Sequence, residues 1–150
     1  MPTLYTLRSG PYWYVGTTTD LPARLRAHNG GHGAAWTRKH GRTWRLVDSR
    51  PVDPDVAGLH EDMAALALLR AHGPDVVRGG QFSRCTLGAE QIRYIQAALR
   101  HNDGLCLRCG AAGHWVGVCP WEWCPEKLDV GWLWLAIWCA LWALGSCGLV

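Results

Sequence analysis

Residues 106–119 read CLRCGAAGHWVGVC, and no other stretch limits the fold so tightly. The spacing Cys106-x2-Cys109-x4-His114-x4-Cys119 places three thiols and one imidazole on fourteen residues. Three thiolates and an imidazole suit a closed tetrahedral Zn2+ site of the structural kind. Gly110 and Gly113 fall where the loop must bend around a metal and a side chain would obstruct it. So short a segment has no apolar core, and metal binding has to drive its folding. The competing reading is four reduced, unliganded residues. The chain has seven cysteines, an odd number, four of them between 106 and 124, and no basic-then-apolar signal segment at its start. A secreted disulfide scaffold is therefore not expected, and an intracellular location is.

The chain of 150 residues leaves room for one ordinary domain ahead of that segment. Residues 1–50 carry eight Lys/Arg against Asp20 and Asp48, a net of +6, while residues 51–150 carry a net of −3. A basic half hints at a face for a polyanion, although on charge alone chance clustering on a solvated surface is the favoured reading. Leu4 to Leu7 and Tyr12 to Val15 read as a hairpin turned at Ser9-Gly10-Pro11. A short helix follows, capped by Asp20 or Thr19, with Pro22 in its first turn and Asn29-Gly30-Gly31 at its end. Residues 30–43 form a Gly-rich basic loop and 44–50 a third strand. From 55 to 72 the apolar positions Val56, Leu59, Met63, Leu66 and Leu69 or Ala67 recur at helical spacing, and Gly73-Pro74 stops that helix. Residues 75–83 read as an extended turn, and 88–101 as an amphipathic helix with Ile92, Ile95 and Leu99 on one side. The order β-β-α-β-α-α predicts an α/β (α+β) domain around a small, mostly antiparallel three-stranded sheet flanked by helices. The expected division is a domain over 1–101, a linker at 102–105, the Cys/His segment at 106–119, a second linker at 120–129 and a hydrophobic tail at 130–150.

Tyr5, the tripeptide Tyr14-Val15-Gly16, and Arg24 four residues ahead of His28 form a specific constellation. It resembles the GIY-YIG nuclease superfamily. Tyr5 stands at the tyrosine of the family's first tripeptide, and YVG at 14–16 is the second. DLPARLRAH is similar to the helix that carries the family's arginine, here Arg24, with His28 one turn later. GHGAAWTRKH and HGPDVVRGGQFS resemble further segments of small members and of members that carry a Cys/His module. The resemblance implies a divalent-metal-dependent endonuclease, a hydrolase of phosphodiester bonds. In it a hairpin tyrosine assists proton removal from the attacking water, Arg24 steadies the phosphate, and one Mg2+ or Mn2+ on a helix glutamate stabilises the leaving oxygen. Arginine suits that role because its planar fork stays charged and binds two oxygens. A tyrosine with a pKa of about 10 is a poor base at neutral pH, so Arg24 or the metal is expected to lower it. The family's glutamate would fall near Ala65, which has no ligand. Glu61, one turn earlier on the same face, is the expected metal ligand, and Asp62 points elsewhere. The expected catalytic set is therefore Tyr5, Tyr14, Arg24, His28 and Glu61.

Arg38, Lys39 and Arg42 of the basic loop, together with Arg78, are expected to hold the nucleic-acid backbone. The Cys/His spacing is that of a CCHC zinc knuckle, and Trp115 is its candidate stacking platform. A knuckle joined by a short linker would raise the local concentration of nucleic acid, DNA foremost, at the cutting domain. Arg108 is its one cation, so docking onto protein is the other reading of the module, and Cys124 is left without a role. Residues 130–150 carry no charge and four tryptophans, Trp132, Trp134, Trp138 and Trp142. Twenty-one helical residues span roughly 31 Å, enough to cross a membrane, so the tail reads as an anchor, as an apolar association patch or as a sequence of no function. The rival to the whole functional reading is a catalytically inactive nucleic-acid-binding protein that keeps the fold.

Overall fold

A computed structural model of the chain describes residues 1–121. The hairpin forms as expected, from β1 (Thr3–Ser9) and β2 (Tyr12–Thr18), antiparallel and in register from Thr3↔Thr18 to Ser9↔Tyr12. Helix α1 (Leu21–Asn29) starts where Asp20 accepts a hydrogen bond from the Ala23 N–H at 2.9 Å. It ends where the Gly30 N–H donates to the Arg26 carbonyl at 2.7 Å. Inside the stretch read as a loop lies a five-residue helix, α2 (Ala35–Lys39), held down by buried Trp36 and Thr37. Asn29 closes this loop onto the sheet, its amide bonding both the N–H and the carbonyl of Trp44. Strand β3 (Arg45–Pro51) then pairs antiparallel with β1, and α3 (Ala57–His72) follows a single 3-10 turn over Pro54–Val56.

The sheet has four strands rather than three, in the order β3-β1-β2-β4. The extra strand, β4 (Val77–Arg78), pairs in parallel with Trp13 and Tyr14 of β2. Two residues are too few for an alternating pattern to register in sequence, and what holds them is burial: Val77 is fully buried and Arg78 nearly so. Helix α4 (Ala89–Asn102) closes the domain with Ile95 in the core and Ile92 and Leu99 packed against it, as the periodicity predicts.

Helix α3 is rotated from the face its periodicity suggests. Leu59 and Met63 are 59% and 58% exposed, whereas Ala65 and Leu69 are buried with Leu4, Val15 and Val77. Ala65 has no bulk beyond Cβ, so the helix can approach β2 closely along the line through Glu61, Ala65 and Leu69. That rotation turns Glu61 inward. One side of the sheet is covered by this cluster, and Tyr5, Leu7, Tyr14, Trp36 and Trp44 form a second cluster.

The chain divides into compact units over Met1–Leu99 and from Arg100 onward. In the second unit the Cys106 N–H donates to the Ala111 carbonyl and the Gly110 N–H to the Cys106 carbonyl, a tight loop followed by a 3-10 turn over Val116–Val118. Among the described residues no helix is long and apolar enough to cross a membrane. The tail at 130–150 and Cys124 lie outside the described residues.

Candidate active site

The hairpin register places Tyr5 directly opposite Gly16, with Tyr14 two residues away on the same face. A Cβ on Gly16 would stand 2.6 Å from the Tyr5 hydroxyl, so the glycine of YVG is what lets the phenol lie against β2. The two tyrosine rings are 6.3 Å apart. Helix α1 delivers Arg24 and His28 to the same point because residues four apart share a face. The Arg24 Nε–H donates to the Tyr5 hydroxyl at 3.0 Å, and that hydroxyl also lies 3.0 Å from His28 Nε2.

The hydrogen-bond network fixes who donates. The Thr37 hydroxyl gives its hydrogen to the Ala34 carbonyl at 2.9 Å, so towards His28 Nδ1, 2.8 Å away, it can only accept. Nδ1 therefore carries the proton, Nε2 is a bare acceptor, and the Tyr5 O–H donates to it. Burial, aided by the Arg24 charge, lowers His28 to about 4, which keeps the imidazole neutral. Gly33 matters here: an added Cβ would meet the Thr37 hydroxyl at 2.8 Å. Burial also pushes Tyr5 up to about 12, outweighing the Arg24 hydrogen bond, and Tyr14 rises for the same first reason. Arg24 does lower the tyrosine, as expected, but burial outweighs it in the resting site, because removing a phenolate from water costs more than one guanidinium returns.

Glu61 joins this group from α3. Its Oε2 accepts from the Thr17 hydroxyl at 2.8 Å and its Oε1 from the Gly80 N–H at 2.9 Å, and its charge raises both tyrosines. Asp62 turns away to the Gln81 N–H at 2.9 Å. Tyr5, Tyr14, Arg24 and His28, from β1, β2 and α1, therefore form one contact cluster, and Glu61 on α3 lies near enough for its charge to act on both tyrosines. Residues 2–53 match the GIY-YIG catalytic domain. The match takes in Tyr5, Tyr14, Arg24 and His28 and stops before Glu61. No curated protein and no solved structure matches the chain.

The GIY-YIG family is one of endonucleases that use a divalent cation, so the fit of that ion to this pocket matters. Glu61 is half-buried, its charge reaches the tyrosines, and it keeps a second lone pair on each oxygen beyond its two hydrogen bonds. One carboxylate with water filling the remaining positions is an ordinary Mg2+ arrangement. The residues fit.

Thr17, Thr37, Gly33 and Gly80, which orient Glu61 and His28, were not legible as site residues. A threonine in a strand or short helix carries no signature of its own. Only the run GGHG at 30–33 hinted that backbone and side chain approach closely there.

Arg38, Lys39 and Arg42 are all exposed, the first two on α2, whose Thr37 holds His28. Arg78 has another role. It is 4% exposed, donates to the carbonyls of Pro74, Val77, Arg84 and Cys85, and lies 4.2 Å over the Trp36 ring. With its guanidinium engaged by four carbonyls it clamps the 74–85 segment, and the expectation that it holds phosphate is corrected.

In the second unit the ligand atoms of Cys106, Cys109, His114 and Cys119 all lie within 4.8 Å of one another, with Cys109 Sγ 3.2 Å from His114 Nε2. A tetrahedron of zinc–ligand bonds of about 2.0–2.3 Å has edges of about 3.3–3.8 Å, so the four are grouped closely enough to close on Zn2+ with small side-chain shifts. Burial opposes ionisation of Cys106, but backbone N–H groups of Cys109 and Arg108 bring its thiol down to about 6. Trp115 is 59% exposed.

Proposed function

We propose that the chain is a divalent-metal-dependent endonuclease that hydrolyses nucleic-acid phosphodiester bonds, with a domain over residues 1–101 that cuts and a zinc knuckle over 106–119 that grips nucleic acid. The observation that supports this reading is the bonded cluster of Tyr5, Arg24 and His28 beside Tyr14, with the Glu61 charge acting on both tyrosines. In it, the guanidinium of Arg24 is anchored by Nε on Tyr5 and by a second bond to Tyr14, and its N–H groups beyond those two bonds would meet the phosphoryl oxygens. Tyr5 is a phenol at rest, so it acts as a relay: it takes the proton of the attacking water while passing its own to His28 Nε2. An incoming phosphate offsets the Arg24 field and raises His28, which makes the imidazole a better acceptor when substrate is present. Thr37 holds the ring in the acceptor tautomer throughout. Tyr14 walls the pocket and keeps bulk water from the relay. Glu61 would hold the Mg2+ or Mn2+, which supplies electrostatic stabilisation of the leaving oxygen. The zinc ligands must be reduced thiolates, which favours an intracellular setting. Trp115 would stack on an unpaired base, with Arg38, Lys39 and Arg42 along the backbone.

A second reading, a non-cutting nucleic-acid binder, draws on the hydrogen bonds that occupy both Glu61 oxygens. Plasmid nicking by the full chain with Mg2+ or Mn2+ separates the two. Cutting predicts nicking that drops by 100-fold or more in Arg24→Ala and in Glu61→Gln. Plasmid retained without nicking, at every metal tried, would establish the second reading.

A further inference from the structure

The turn joining β1 to β2 and the start of β3 enclose an open groove of about 530 Å3, lined by Arg8, Gly10, Thr43, Arg45, Leu46 and Val47. It is separate from the tyrosine pocket. Arg8 and Arg45 stand directly opposite each other across β1 and β3. Like charges in that relation destabilise a strand pair. The arrangement depends on a bulge: the pairing runs in step from Thr3↔Pro51 to Thr6↔Asp48, then slips so that Leu7 faces Leu46 and Arg8 faces Arg45. Without the slip Arg8 would face Leu46. Bulges commonly re-aim side chains in this way.

Among the described residues no carboxylate forms an ion pair with either arginine, Asp48 two positions along from the pair included. Arg8 uses Nε on the Gly10 carbonyl at 3.0 Å and rests 5.0 Å over the Trp13 ring, leaving its terminal nitrogens to the groove. Both arginines are exposed, and β3 is exposed along its whole length. A concentrated positive site without a protein counter-ion is completed by an anion from outside. Two arginine forks side by side match the oxygens of phosphodiesters, and Leu46 and Val47 offer an apolar wall to the sugars between them. The openness of the groove suits a continuing strand better than a small enclosed ligand.

We propose that this groove is a second phosphate-binding site, at which Arg8 and Arg45 hold the nucleic-acid backbone away from the scissile bond. The site deepens the nuclease reading and rests on it for the identity of the polyanion. The test is anisotropy of a fluorescent duplex oligonucleotide titrated with the full chain between 50 and 200 mM salt, without added divalent cation. Replacing Arg8 and Arg45 together by Gln should weaken binding roughly tenfold and flatten the salt slope by about 1.8, the share of two phosphates. The double Lys variant should keep the slope, and Arg45→Gln alone, which leaves the Arg8–Trp13 contact intact, should flatten it by about 0.9. An unchanged slope in the Gln variants, or no binding by the wild-type chain, overturns the proposal. Nicking is scored separately: a chain that nicks with an unchanged slope keeps the nuclease and loses the groove. A flattened slope in a chain that never nicks keeps the groove and loses the nuclease.

Discussion

At the scale of single residues, His28 carries the most consequence. It is fully buried, neutral, and bonded on both ring nitrogens. Its pKa falls from 6.5 in the unfolded chain to about 4 in the folded one. The unfolded state therefore takes up a proton that the folded state refuses, and stability present above pH 6.5 is lost as the pH falls towards 4. Denaturant melts should show a loss on the order of 3 kcal/mol across that window. The loss should be much smaller in His28→Gln, which keeps a polar side chain there and has nothing to titrate. Tyr5 behaves in the opposite sense. Its pKa is raised to about 12, so its contribution holds below pH 10 and fades as the pH climbs through 12. Both residues were legible in the sequence as a pair with Arg24. Their protonation was not, because it depends on burial and on Thr37.

At the scale of elements, two pieces position Glu61. One is the rotation of α3, which the small Ala65 permits and which leaves Val56, Leu59 and Met63 exposed. The other is the β4 turn, where Gly80 donates its N–H to Glu61. Arg78, next but one to Gly80, pins that turn through four carbonyls. Arg78→Met keeps the length and removes the donors, leaving one buried and three part-buried carbonyls without the guanidinium, at about 1–3 kcal/mol for each that water cannot reach. A loss of at least about 3 kcal/mol is expected in chemical denaturation, with faster amide exchange at Gly80. A variant as stable as the wild type would mean the clamp is dispensable. The helices and the hairpin were readable from periodicity and turn residues. A two-residue strand and a buried arginine were not, since neither makes a pattern in one dimension.

At the scale of the whole molecule, the Cys/His segment at 106–119 offers four candidate metal ligands, and its folding is expected to depend on an ion. Fourteen residues with three thiolates and one imidazole have little else to fold around. Purified chain should carry one zinc by elemental analysis, and Cys109→Ser should bring that below half an equivalent. Chelation should collapse the amide dispersion of residues 106–119 in NMR spectra, and dispersion that survives removal of zinc would refute a metal-driven fold. By itself the sequence determined what is encoded by spacing along the chain: the hairpin, the helix bearing Arg24 and His28, and the Cys/His loop. These rest on local rules of turn, cap and ligand interval. Only the tertiary structure decided which way α3 faces, that Arg78 is a clamp, and that Arg8 and Arg45 stand together. Those outcomes depend on which distant surfaces pack most closely, and on one bulge that shifts a register by a single residue.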